Sequence, residues 1–167
     1  MSTRSIICKK NSDGTYTGIF CHWDGYVENN GRILNDNYTT EESIDRLLAL
    51  GDLSSLGKTP EDPGDLWERE RRTLRTVPLS RDDPEYVEYW NLMDEYCKSY
   101  RSRGETGIDA RTYKNLRDVR KYGEAYTYIW DDKHGWRVTS YDYPKWTSVA
   151  RILRRIDKEA NAGRNAK

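Results

Sequence analysis

Apolar and polar positions alternate in two separate parts of the chain and recur at helical spacing between them. Residues 4–10 and 15–23 flank Asn11-Ser12-Asp13-Gly14, and Asp-Gly between two β-prone runs signals a hairpin. Side chains alternate along a strand. The pairing therefore predicts a core face of Ile6, Cys8, Ile19 and Cys21, with Ile7, Tyr16, Gly18, Phe20 and His22 opposite. A second hairpin is predicted over 125–130 and 136–141, around Asp131-Asp132-Lys133-His134-Gly135, with Tyr126, Tyr128 and Trp130 on one face.

Between the hairpins the period is helical. Residues 27–35 read as a helix weakened by Gly31. Thr39 and Glu42 have capping-box spacing, Ile44, Leu47 and Leu48 form an apolar face, and Gly51 closes it. Residues 52–65 read as a loop. The next stretch fits either a charged helix over 67–74 or a strand over 74–79. Asp83-Pro84-Glu85 is a helix start. Tyr86, Tyr89, Trp90, Met93, Tyr96 and Cys97 follow as one stripe, read as core, with a partner-binding or homo-oligomer face as the alternative. Asp109 or Thr112 is expected to cap a helix ending at Gly123. It turns Tyr113, Leu116, Val119 and Tyr122 inward and Arg111, Lys114, Arg117, Arg120 and Lys121 outward. Asp142-Tyr143-Pro144 starts the last helix, with Trp146, Val149, Ala150, Leu153 and Ile156 inward and Arg151, Arg154, Arg155 and Lys158 off that stripe.

This order predicts an α+β fold. Its small antiparallel sheet comes from two β-hairpins, at about 4–24 and 125–141, packed with several helices. One domain spans 1–160, with a helical elaboration at about 66–97 and a frayed tail over 161–167.

Composition narrows the class. Thirteen Tyr and six Trp argue against disorder and supply amphipathic interface surface. Cys8, Cys21 and Cys97 show no metal spacing, no apolar run approaches the roughly 18 residues of a membrane span, and the start lacks a signal-peptide core. A reduced cytoplasmic protein without metal, cofactor or membrane partner is the expectation. The net charge of zero hides a gradient. Residues 1–65 carry 6 basic and 11 acidic side chains, residues 66–97 carry 5 and 8, and residues 98–167 carry 17 and 9. A basic C-terminal part suits RNA or DNA, and Arg111, Lys114, Arg117, Lys121, Arg151, Arg154 and Arg155 are the candidate contacts.

The chemically densest run is Cys21-His22-Trp23-Asp24-Gly25-Tyr26. His22 and Asp24 have a spacing that suits a base–carboxylate pair, but zinc needs three or four ligands, and His134 lies in the other predicted hairpin. Cys21 and His22 point to opposite faces of a strand, which disfavours activation of the thiol. Arg101-Ser102-Arg103-Gly104-Glu105 has guanidinium forks suited to an oxyanion. His22, Trp23, Asp24, Tyr26, Arg101, Arg103 and Glu105 are accordingly the candidate binding residues. No catalytic residue is assigned, and no phosphate loop, dinucleotide fingerprint or nucleophile elbow is present.

The blocks Met1-Ser2-Thr3-Arg4-Ser5 and Cys21-His22-Trp23-Asp24-Gly25-Tyr26 resemble a family of small uncharacterised proteins encoded by bacteriophages and other mobile elements. The likeness continues through Leu47-Leu48-Ala49-Leu50-Gly51-Asp52-Leu53-Ser54-Ser55-Leu56-Gly57 and resumes near residues 100–105 and 126–136. Val27 departs from the Pro that family members tend to have there. The resemblance implies a cytosolic accessory factor of a mobile element that acts by binding, inhibiting a host defence or nucleic-acid-handling complex in the manner of an anti-CRISPR protein. Its expected partner is a host protein or nucleoprotein. The alternative is a small pocket protein or enzyme that holds a phosphorylated ligand through His22, Asp24, Arg101 and Arg103.

Overall fold

A computed structural model describes residues 2–75, 80–122 and 124–165. The fold is α+β. Among the described residues eight strands form one sheet, in the order β4 (Lys98–Ser99), β3 (Leu53–Ser55), β2 (Tyr16–Cys21), β1 (Ser5–Lys10), β6 (Tyr126–Asp131), β7 (Gly135–Ser140) and β8 (Thr147–Ser148), and β5 (Arg111–Tyr113) also pairs with β2.

The first hairpin joins β1 (Ser5–Lys10) to β2 (Tyr16–Cys21). Its turn is set locally. Gly14 takes φ 85, and the Asp13 carboxylate accepts hydrogen bonds from the Thr15 amide (2.9 Å) and hydroxyl (2.6 Å). The second hairpin, β6 (Tyr126–Asp131) and β7 (Gly135–Ser140), is likewise antiparallel. The two meet in the middle of the sheet, where β1 and β6 run parallel. A mixed sheet results, because the hairpins lie side by side through their first strands.

The observed register differs from the expected one. Ile7 faces Ile19 and Ser5 faces Cys21, whereas Ile6 faces Phe20 and Cys8 faces Gly18. Ile7, Ile19 and Cys21 therefore share the main core, and Ile6, Cys8 and Tyr16 lie in a second core on the other face. Both faces are covered, so neither reads as solvent.

Helices α1 (Arg32–Asn37), α2 (Glu41–Ala49) and α6 (Val149–Asn165) place Leu34, Ile44, Leu47, Leu48, Val149, Ile152 and Leu153 in the main core against Tyr128, Trp130, Trp136 and Val138. A short π-helix, Val27–Gly31, precedes α1. The cap of α2 is Thr40, which exchanges hydrogen bonds with Ser43 in a capping box, so the box lies one residue beyond Thr39. Helix α6 continues through residues 161–165, and residues 166–167 lie outside the described residues.

Three further assignments change. Asp142-Tyr143-Pro144 does not start the last helix: Thr147–Ser148 add a short strand to β7, and α6 begins only at Val149. Part of the 52–65 loop is β3 (Leu53–Ser55), a three-residue strand on β2 that also pairs with β4 (Lys98–Ser99). The helix expected from Asp109 or Thr112 is instead β5 (Arg111–Tyr113) followed by a short α5 (Leu116–Arg120) capped by Asn115. The expected helix end at Gly123, and most of the strand alternative over 74–79, lie outside the described residues.

Residues 66–75 form α3 (Leu66–Arg75), and α4 (Pro84–Glu95) packs against it. The Asp83 side chain caps α4 by accepting from the Glu85 amide at 2.9 Å. Only Tyr89 of the α4 stripe is buried within the helix, while Val87 and Trp90 are exposed. No helix among the described residues is long and apolar enough to cross a membrane.

Candidate functional site

The Cys21–Tyr26 run is a structural corner with an aromatic outer surface. Beyond β2 the His22 and Trp23 amides donate to the Leu53 and Ser54 carbonyls, each at 3.0 Å, so β3 tracks the corner. Asp24 takes φ 55, a left-handed conformation that is uncommon outside glycine. The Gly25 amide then donates to the Thr3 carbonyl at 2.7 Å, and the Gly25 carbonyl accepts from the buried Tyr128 hydroxyl at 2.7 Å. Fully buried Asn30 closes the loop from inside: its side-chain amide reaches Ser5 Oγ (3.3 Å), Cys21 Sγ (3.5 Å) and the Trp23 carbonyl (3.2 Å).

The chemistry of this corner is quiet. Burial pushes the Cys21 thiol up to about 12 and the Cys97 thiol up to about 11, and it raises Cys8 further. Thiols held that high are overwhelmingly protonated near neutral pH and are poor nucleophiles. His22 packs edge-on against Trp23 (ring centroids 4.7 Å) and Phe20 (6.0 Å). Burial first, and then the Arg4 charge, lower its pKa, with Glu124 opposing.

Trp23 and Asp24 face outward and meet the helical elaboration. With Ser54, Ser55, Glu70, Leu74, Tyr89, Trp90, Met93 and Lys98 they line a groove of ≈ 290 Å³. Its rim is apolar and open: Trp23 is 45% exposed, Leu74 47% and Trp90 44%. Its floor is fixed by a buried charge. Lys98, 2% exposed, pairs with Glu70 at 2.8 Å and lies 4.0 Å from the Trp67 ring centroid. Burial lowers the Lys98 pKa and the Glu70 carboxylate opposes that shift. This contact ties α3 to β4 and sets one wall of the groove.

The arginine cluster lies in a neighbouring, more polar groove. Arg103 and Ser102 line it with Gly64, Trp67, Glu68, Glu70 and Arg71. Arg103 is paired with Glu105 and stacks on Trp67 (4.3 Å) and Tyr100 (4.9 Å). Arg101 pairs with Asp109 at 2.6 Å. Thus Trp23 and Asp24 share one groove, Arg103 lines the next, and Glu70 is common to both. Tyr26 is exposed at the corner.

Of the candidate nucleic-acid contacts, Arg111 has a different role. Its guanidinium forks onto Asp52 at 2.8 and 2.7 Å, and Asp52 also accepts from the Phe20 amide at 2.9 Å. It fastens β5 to β2 and is not on the outer face of a helix. Lys114, Arg117 and Lys121 are exposed around α5, with Lys121 paired to Asp118 at 3.1 Å. Arg151, Arg154 and Arg155 are exposed on α6. Sequence reasoning missed Ser54, Ser55, Trp67, Glu70, Leu74 and Lys98. For Trp67, Glu70 and Leu74 the available signal was the aromatic and charged density of 66–97, which fixes no orientation; nothing local marks Ser54, Ser55 or Lys98. It also missed Tyr122 and Tyr141, 58% and 98% exposed, the second of which lines a shallow cleft with Arg120.

Among the described residues no cluster of His, Cys, Asp and Glu is arranged to hold a metal ion. In comparison with known proteins, no family model, no curated protein and no solved structure matches this chain.

Proposed function

We propose that this chain is a binding protein that docks on a partner protein through the groove between the Cys21–Tyr26 corner and α3–α4. We further propose that the partner belongs to a nucleic-acid-handling complex, such as a host defence nuclease, whose activity docking blocks. One observation carries the reading: two half-exposed tryptophans, Trp23 and Trp90, face one groove although they come from distant parts of the chain. Exposed tryptophan rimming a concavity is the usual composition of an interface hot spot. The buried Lys98–Glu70 pair supports it by making the groove wall rigid without filling the groove.

The charge gradient supports the choice of target. Acidic residues predominate over 1–97, where the groove lies, and basic residues over 98–167. A protein side that meets a basic surface and a basic side that meets the nucleic acid held there would suit one nucleoprotein. Lys114, Arg117 and Arg120, beside exposed Tyr122 and Tyr141, would supply the second contact.

The experiment is comparative capture from a bacterial lysate. Tagged wild type, Trp90→Asp and a distant control, Lys158→Ala, are used in parallel, with protein and nucleic acid identified in each eluate. A protein retained by wild type and Lys158→Ala but lost with Trp90→Asp is the expected result. An eluate unchanged by Trp90→Asp, in a variant that still melts like wild type, would rule out docking through this groove.

A further inference from the structure

We propose that the groove between Trp23 and Trp90 is a receptor for an arginine side chain of the partner protein, with the guanidinium held between aromatic surface and the Asp24 carboxylate. This deepens the docking reading and rests on it.

The neighbouring Trp67 shows how this molecule treats tryptophan beside cations. Its ring has the Lys98 ammonium 4.0 Å from the centroid and the Arg103 guanidinium 4.3 Å away, both from its own chain. Trp23 and Trp90 have no such cation among the described residues. Their ring neighbours are aromatic: His22 at 4.7 Å from Trp23, and Tyr89 and Tyr86 at 5.3 and 6.0 Å from Trp90. The face of an indole attracts a cation, and most strongly where water is displaced.

The charges around the groove are one-sided. Asp24 and Glu70 line it, and among the described residues that line it Lys98 is the one cation. That ammonium is buried and already engaged by Glu70 and Trp67, so it does not neutralise Asp24. No Lys or Arg among the described residues forms an ion pair with Asp24, which is held outward by its left-handed backbone.

These features discriminate between occupants. A purely apolar side chain would cover Asp24 and leave its carboxylate without a partner, which costs free energy. Lysine would supply charge as a compact, strongly hydrated ammonium. Arginine supplies a flat cation that both stacks on indole and forks onto a carboxylate. Its aliphatic stem suits the Leu74 and Met93 side. A volume of ≈ 290 Å³ admits one such side chain.

The test titrates the full chain with short capped peptides while the tryptophan indole N–H signals are followed by NMR. The probes are Ac-Gly-Arg-Gly-amide, the citrulline peptide, which keeps the shape without the charge, and the leucine peptide. Saturable shifts confined to Trp23 and Trp90 are expected with the arginine peptide, at least about fivefold tighter than with citrulline, as a cation–π contact of about 1 kcal/mol implies. Asp24→Asn should weaken the arginine peptide and narrow its advantage over citrulline to what the indole contact alone supplies, while the citrulline peptide is little changed and the indole spectrum of the free protein keeps its dispersion. Equal response to citrulline or leucine, or no response of these two indoles, would overturn the proposal. The docking reading fails separately. If Trp90→Asp loses the captured partner while the arginine peptide does not bind, the groove docks something other than arginine. If the partner is retained by Trp90→Asp, the docking reading itself is wrong.

Discussion

Gly25 has no room for a side chain. A Cβ there would meet the Thr3 carbonyl oxygen at 2.8 Å and the Arg4 carbonyl group at 2.9 Å, all backbone atoms that cannot swing away. Gly25→Ala should therefore destabilise the fold by about 1–3 kcal/mol, the range for overpacking. Chemical denaturation checks this, and an unchanged midpoint would mean that the corner is loose. His22 offers a second check. Burial and Arg4 both disfavour its imidazolium, so its NMR titration midpoint should fall below the ordinary value of about 6.5. Because the unfolded chain then takes up a proton before the folded one, stability attributable to His22 is intact above that pH. It declines as pH falls from there to the folded midpoint. A midpoint at or above the ordinary value would contradict the environment described. At this scale the corner was readable as a special place from Asp24-Gly25 and its dense chemistry. The inward role of Asn30 was not, since nothing local marks an asparagine that satisfies a sulfur, a hydroxyl and a carbonyl at once.

The two hairpins and the cap of α4 were legible at the level of elements, and the cap of α2 to within one residue, because turn and cap chemistry is local. Register was not. Ile6, Ile7 and Cys8 are consecutive and all buried, so alternation offers no choice of face when both sides of a sheet are covered. Strands β3, β4, β5 and β8 have two or three residues each, too few to show a period. Tyr113, Leu116, Val119 and Tyr122 do have helical spacing, yet Tyr113 lies on β5. The contact that decides it is Arg111 on Asp52, across 59 positions of sequence. Arg111→Ala should strip β5 from the edge of β2 and leave a largely buried carboxylate unpaired. The expected cost is about 2 kcal/mol, moderated because the guanidinium side chain is 38% exposed. Arg111→Lys should recover little, since an ammonium cannot make the two parallel bonds. Thermal melts report the stability, and amide exchange at 111–113 reports the strand. Full rescue by lysine would show that charge alone suffices.

For the whole molecule, the α+β class follows from the order of hairpins and helices, whereas the groove follows from none of the segments that build it. Trp23 leaves the end of β2, Leu74 and Glu70 come from α3, Trp90 from α4 and Lys98 from β4. Their convergence depends on α3 and α4 folding back over the sheet edge, a long-range event that periodicity does not encode. The stripe on α4 illustrates this: its spacing suits a core, but Tyr89 is buried while Trp90 is left to the solvent. The same assembly separates Asp24 from the arginine loop, which favours a docking surface over one oxyanion pocket. The most direct measurement is hydrogen–deuterium exchange of the protein with and without its captured partner. New protection should concentrate in residues 22–26 and in α4 (Pro84–Glu95), with the remote end of α6 unaffected. Protection that spares both segments would contradict docking through this groove.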